Sequence, residues 1–141
     1  MVSDEVIDKI KELRDKEQTE PGDALVLFGL FKEIAEQEEE VKEELEDTDE
    51  IIVQNNYSDA DFKYWVKLGE GKFDVGEGEA EEPTVIMSAA ADTWAELGTG
   101  DLDATSAYMA GDLEIEGNLQ DAITYGQILD LIREVIEEFE D

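Results

Sequence analysis

At Ile51 the spacing of the apolar residues changes, and that change limits what the chain can fold into. Before it, Val6, Ile7, Ile10 and Leu13, and then Ala24, Leu27, Phe28, Phe31, Ile34, Ala35, Val41 and Leu45, recur at helical intervals. After it the period is two. In "DFKYWVKL", Phe62, Tyr64, Val66 and Leu68 point one way, while Lys63, Trp65 and Lys67 point the other. A chain that starts helical and then alternates must cover a sheet with helices, so an α+β layer fold is expected.

Punctuation refines this order. Residues 3–18 read as an amphipathic helix, "TEPGD" as its break, and Asp23 as the N-cap of a second helix over 24–45. "IIVQNNY", "DFKYWVKL", "KFDVG" and "TVIMS" follow as an antiparallel meander, with "GEG" at 69–71 a turn and "GEGEAEEP" a polar loop. "AADTWAELGTG" is a short helix ended by Gly98 or Gly100, and "DLDATSAYMAG" is another, capped by Asp101 or Asp103. "YMAGDLEIEGNLQDA" supplies a fifth strand between Gly111 and Gly117. Asn118 then caps a last helix, with Asp121 placed as in a capping box. That helix puts Ala122, Ile123, Ile128, Leu131, Ile132, Val135 and Phe139 on its apolar side. Trp65, opposite the Phe62/Tyr64/Val66 face, implies that the second face of the sheet is covered too, by the N-terminal helix or by a partner.

Charge restricts the partners. The 141 residues include 41 acidic and ten basic ones, a formal charge of −31, with 41% apolar content. The screening length is about 10 Å at 0.1 M salt and about 3 Å at 1 M. Repulsion therefore acts across much of the molecule in dilute buffer and only between neighbours in molar salt. The balance reads as adaptation to a high-salt, halophilic cytoplasm. Nucleic acid is excluded as a partner, because phosphate contacts need cations this surface lacks. An anionic membrane repels the chain at low salt, so membrane contact is at most transient. The N-terminal "MVSDEVIDKI" lacks a signal-peptide h-region, no apolar run reaches the length of a span, and "EEFED" is no peroxisomal address, so a cytoplasmic location is expected.

Catalytic constellations are hard to find. With no cysteine and no histidine, thiol nucleophiles, imidazole bases and the usual zinc ligands are unavailable. "DTDEIIV" and "DLDATSA" lack the glycine and terminal glutamate of a calcium loop. Ser3, Ser58, Ser88 and Ser106 sit in no G-x-S-x-G elbow. "GEGKFDVGEGE" follows no strand-to-helix phosphate pattern. The expectation is a non-enzyme with neither cofactor nor metal. Carboxylates and tyrosines alone would have to serve any catalysis on a lipid, and a strongly raised carboxylate pKa would mark that case.

"TVIMSAAADTWAELGTGDLDATSAYMAGDLEIEGNLQDA" resembles the C-terminal half of the sterol carrier protein 2 (SCP-2) sterol-transfer domain family, in its prokaryotic or archaeal form. Gly100, Leu102, Asp103, Ala107, Met109, Gly111, Leu113, Ile115, Gly117 and Ala122 match in order and spacing, and "FGLFKEIAEQ" with the strands resembles the first helix and meander. Coverage runs from about Leu27 to Ile132. The division implied is a helical extension over 1–23 and an SCP-2-like lipid-binding domain over 24–141.

The resemblance implies a five-stranded, mostly antiparallel sheet covered by helices, with an apolar cavity between them. A fatty-acyl, isoprenoid or sterol-like ligand would bind against Phe62, Tyr64, Met87, Trp94, Met109, Leu113, Ile115, Ile128 and Ile132. Asp112, Glu114 and Glu116 replace the family's usual basic residues around the last strand, which argues against anionic membranes and acyl-CoA phosphates. In an archaeal host an isoprenoid or fatty-acid-like chain would replace sterol. The rival reading keeps the fold and packs the cavity shut, leaving an interaction module. A pocket of about 300 Å³ or more would favour the carrier.

Overall fold

The structure, a computed structural model, describes residues 4–14, 21–99 and 102–140, the side chains at 14, 21, 98–99 and 139–140 aside. Its elements are α1 (Asp4–Arg14), α2 (Pro21–Gln37), α3 (Glu39–Glu46), β1 (Ile51–Tyr57), β2 (Lys63–Gly69), β3 (Lys72–Glu77), β4 (Val85–Ala89), α4 (Ala91–Thr99), α5 (Ala104–Ala110), β5 (Leu113–Gly117) and α6 (Leu119–Glu140). The expected α+β fold is present. Gly100 and Asp101, each weighed as a helix boundary, lie outside the described residues.

Two local expectations change. The helix foreseen over 24–45 starts at Pro21, where proline suits a first helical position and Asp23 falls within the first turn. It is also broken at Glu38, which is extended at φ −99° and ψ 118°. An unbroken helix over 21–46 would run about 39 Å at about 1.5 Å per residue, well past the sheet. The break instead turns α3 back so that Val41 and Leu45 are buried against α6 and the β2–β3 hairpin.

The strands lie in the order β3-β2-β1-β4-β5. β1, β2 and β3 form the expected antiparallel meander, but β4 pairs in parallel with β1, Asn55 opposite Met87, and β5 closes antiparallel on β4. Period-two patterning fixes which face a residue takes and says nothing about which strand lies alongside. Residues 78–84 must therefore cross the outer face of β2 and β1. Gln54, nearly fully buried beneath them, fixes the crossing: its Nε2 donates to the carbonyls of Gly78 (2.9 Å) and Tyr64 (3.3 Å) and to Asn56 Oδ1 (3.2 Å). Its Oε1 accepts from the Ala80 amide at 2.7 Å. Lys63 pairs with Glu79 on the same stretch and holds that carboxyl below its usual range. The crossing covers part of the face that carries Trp65, whose indole lies over Gly76. α1 packs on α2 and α6 instead, burying Val6, Ile7 and Ile10 in the common core.

α2 crosses β3, while α6 lies over β1, β4 and β5. Its start is fixed as foreseen by Asn118, whose Oδ1 accepts from the Asp121 amide at 3.2 Å. The Asn118 amide itself donates to Thr84 O at 3.0 Å, so the turn is tied to β4 and no reciprocal capping box forms. Gly117, at φ +101°, makes this approach possible, since a Cβ there would overlap the Thr84 carbonyl oxygen. Gly111 caps α5 at φ +85° in open space. Gly117→Ala should therefore lower the unfolding free energy by about 2 kcal/mol or more and Gly111→Ala by about 1 kcal/mol. Urea titrations in molar KCl check this; equal losses would mean that the β5–α6 turn is not tight.

Candidate functional site

The inner face of the sheet is built in ranks set by strand register. Tyr64, Asn55, Met87 and Ile115 lie side by side across β2, β1, β4 and β5. Tyr57, Ala89 and Leu113 form the next rank, and Phe62 joins them through the Tyr57 amide, which donates to Phe62 O at 3.2 Å. On the other side stand Val75, Val66, Val53 and Val85. Over these ranks α6 buries Tyr125, Ile128, Leu129, Ile132, Val135 and Ile136, the stripe that helical spacing produces.

Eight of the nine residues expected to line a cavity gather here. Tyr64, Met87, Leu113, Ile128 and Ile132 are buried; Phe62, Trp94 and Ile115 are half-buried at its margin. Phe62, Tyr64 and Trp94 belong to one aromatic chain, Phe31–Phe28–Tyr64–Phe62–Tyr57–Trp94, with successive ring centroids 5.3–6.0 Å apart. Trp94 is pinned to β1 by its Nε1, which donates to Asn56 O at 3.0 Å.

Met109 is the exception, 81% exposed. Seven-residue α5 turns Ala107 inward, and Met109, two residues on, lies about 200° further round the helix. Ile123, expected on the buried side of α6, is 54% exposed for the same reason, two residues from Tyr125. The Phe139 side chain lies outside the described residues.

Sequence reasoning passed over the polar members. Asn55 is 0% exposed on the inner face. Its Nδ2 donates to Tyr125 Oη at 3.4 Å, and its Oδ1 has no hydrogen-bond partner. The alternation Ile51, Val53, Asn55, Tyr57 could have found it, since every odd position of β1 faces inward. Burial raises the Tyr64 hydroxyl well above its ordinary pKa, helped by Tyr125 and Tyr57, while the Asn55 hydrogen bond opposes the shift. Burial also raises Tyr125, against Asn55 and Arg133. Tyr57 is pushed up to about 12 by burial and by Asp23 and Asp59.

Two surface grooves lie elsewhere. One of about 480 Å³ runs between α2, α3 and β3, lined by Lys32, Lys42, Lys72, Leu45 and Phe73 among others. Another of about 310 Å³ is bounded by Lys9, Glu12, Leu13 and Val26. Neither includes an expected lining residue. Among the described residues no histidine, cysteine or carboxylate cluster is arranged to hold a metal, and no helix is long and apolar enough to cross a membrane.

The model of the SCP-2 sterol transfer family matches residues 31–130, which include every strand and the first half of α6. The chain belongs to the SCP-2 sterol transfer family. No curated protein sequence matches it. A crystal structure of sterol carrier protein 2 superposes with a TM-score of 0.59 at 22% identity, covering 80% of this chain and 95% of that one. The ubiquinone synthesis protein UbiJ, in its SCP2 structure, gives 0.62 at 15%, covering 84% and 97%. The sec-alkylsulfatase Pisa1 from Pseudomonas sp. gives 0.59 at 12%, covering 74% of this chain but only 16% of its own length. These likenesses establish a shared fold. Within this SCP-2 domain the family match begins at Phe31, yet α1 contributes Val6, Ile7 and Ile10 to the same core.

The buried tyrosines set a pH limit on the domain. A hydroxyl whose pKa is higher folded than unfolded stabilises the fold fully below about pH 10, and that contribution is lost as pH rises above it. Stability should fall from about pH 10 upward, by up to about 1.4 kcal/mol per pH unit for each of Tyr64 and Tyr125. Tyr125→Phe should flatten the fall. Urea midpoints followed between about pH 8 and 11 read this out; a flat wild-type profile would contradict the buried, neutral tyrosines.

Proposed function

We propose that this SCP-2 domain is a carrier that holds an apolar chain, fatty-acyl, isoprenoid or sterol-like, between the inner sheet face and α6. The family match over residues 31–130 carries this reading. The inner face supports it: across three ranks of the sheet, apolar and aromatic side chains are interrupted only by Asn55 and the tyrosine hydroxyls. Phe62, Tyr64, Met87, Trp94, Leu113, Ile115, Ile128 and Ile132 would contact the chain. Met109 would act from the surface at the mouth, beside Tyr108, which is also exposed on α5. Removal of ligand surface from water would drive binding at about 25 cal/mol per Å². No catalytic step is assigned, and the sulfatase likeness reaches this chain only as a small part of a longer protein.

A second reading has a specific observation in its favour. Asn55, Val66 and Ile132 are fully inaccessible, whereas the walls of a void wide enough for a lipid would be accessible. An interaction module with a closed core fits that packing. The carrier reading requires the helical layer to open.

Organic extraction of protein purified throughout in molar KCl, followed by lipid mass spectrometry, separates the two. A stoichiometric acyl or isoprenoid species establishes the carrier. A clean extract, repeated after incubation with candidate lipids, leaves the closed module.

Charge gives the domain its proposed salt adaptation. Ion pairs such as Lys32–Asp74 at 3.2 Å and Lys67–Glu50 at 3.6 Å join exposed groups, and exposed pairs contribute at most about 1 kcal/mol each. Repulsion from the net −31 therefore dominates. The thermal midpoint should rise as KCl goes from about 0.1 M to 1 M, where screening shortens from about 10 Å to about 3 Å. A midpoint that falls with salt would mean that net attraction between charges stabilises the fold and would remove the halophilic reading.

A further inference from the structure

Asn55 stands in the middle of the apolar inner face, with Tyr64 on one side and Met87 on the other. Its Nδ2 donates to Tyr125 Oη over a long 3.4 Å, and its Oδ1 is a buried acceptor with no donor. Reversing the amide does not help, because Tyr125 would then bond the oxygen and strand the nitrogen. The contrast with Gln54, one residue earlier on the opposite face, is sharp. There both amide atoms are bonded to the chain that crosses above them. A buried acceptor without a donor is disfavoured, so its presence here points to a donor that arrives from outside.

The surroundings limit what that donor can be. Every neighbour of Asn55 in its rank is apolar or a tyrosine, and burial keeps Tyr64 and Tyr125 neutral. An ionised head group would have to shed its water here without a counter-ion in the rank. Arg133, the cation nearest in influence to Tyr125, already holds Asp130 Oδ1 at 3.2 Å and Leu97 O at 2.9 Å, although its Nε is unpartnered. A hydrocarbon or an ester would bring no donor. A hydroxyl brings one, and its oxygen can in turn accept from a tyrosine hydroxyl.

We propose that Asn55 selects a lipid alcohol, whose hydroxyl donates to Asn55 Oδ1 while its apolar chain lies between the sheet and α6. This rests on the lipid-carrier reading. The mechanism is specificity by completion: a ligand with the hydroxyl fills a bonding site that a ligand without it leaves empty.

The test uses the full chain in about 1 M KCl, where screening is about 3 Å. The neutral fluorophore N-phenylnaphthylamine is displaced by phytol, by phytane, and by phytanic acid held ionised at mildly alkaline pH. Phytol should displace the probe at about tenfold lower concentration than phytane, a difference of about 1.4 kcal/mol, and at lower concentration than phytanic acid. In Asn55→Leu the advantage of phytol over phytane should vanish while phytane binds at least as well as before. Equal displacement by phytol and phytane in the wild type overturns the role of Asn55 and leaves the carrier reading intact. Preference for phytanic acid overturns it as well and transfers recognition to Arg133. A protein that takes up neither the probe nor any of the three overturns the carrier reading, and this inference with it. The wild-type ranking decides the matter even if Asn55→Leu does not fold.

Discussion

The inner wall of this domain exists because a seven-residue stretch is held down by one buried amide. Without the crossing of residues 78–84, β4 could not lie parallel to β1, and Met87 would not stand beside Asn55. Gln54 satisfies both of its amide atoms on that stretch and on the Tyr64 carbonyl, so the crossing, the β1–β2 pairing and the β1–β4 register are fixed together. Thr84 extends the tie: its amide and hydroxyl donate to Ile52 O, and its own carbonyl accepts from Asn118 where α6 begins. A chain of backbone and amide bonds thus runs from the outer face of β2 to the start of the helix that covers the inner face. Register on the sheet and the placement of α6 are consequences of the same contact.

Charge is arranged around this frame and does not enter it. Among the described residues the polar side chains buried in the core, the tyrosines aside, are Gln54 and Asn55. All the described carboxylates keep contact with water, where solvent and salt screen them. The excess of acid therefore bears on solubility and on the choice of partners, while the fold follows from apolar spacing and a few amides. Asp112, Glu114 and Glu116 illustrate this. Alternation turns Glu114 and Glu116 away from the core while Leu113 is buried, so the acidity near the last strand changes what can approach the domain without altering what it packs.

Where one physical signal decides an element, the sequence reveals it. The strands at Ile51, Lys63 and Val85 and the α6 cap at Asn118 follow from period two and from a short polar side chain before a helical run. Eight of the nine expected lining residues gather on the core because burial and periodicity coincide at those positions. Other features depend on contacts distant in sequence. Glu38 interrupts a glutamate-rich run that any local propensity would continue, because the sheet is shorter than the helix would be. The parallel neighbour of β1 is chosen by a loop that composition shows only as polar. Met109 and Ile123 are apolar yet exposed, because helical spacing turns them away from a narrow inward stripe. Asn55 is hard to find for the opposite reason. It is polar at a position whose parity already places it inside.

The proposed carrier has to open along its least bonded seam, and the hydrogen bonds among the described residues mark one. The sheet is continuous from β3 to β5, so it resists separation. α4 is joined to β1 by Trp94 Nε1 on Asn56 O and to the loop after β1 by the Ala91 amide on Asp59 Oδ1 at 2.9 Å. α6 is joined to α4 by Arg133 on Leu97 O. Beyond its start, α6 meets the sheet through apolar contacts and the long Asn55–Tyr125 bond. Of the bonds between described residues, lifting α4 breaks those of Trp94, Ala91 and Leu97, each contributing about 1 kcal/mol net. Parting α6 from α4 and the sheet while its first turn stays tied breaks one such bond and one weak one, and it exposes the rank that carries Asn55. Such a movement would pivot near Gly117 and Asn118. The two glycines around the last strand serve different ends: Gly111 caps a short surface helix, and Gly117 lets the β5–α6 turn sit against the Thr84 carbonyl.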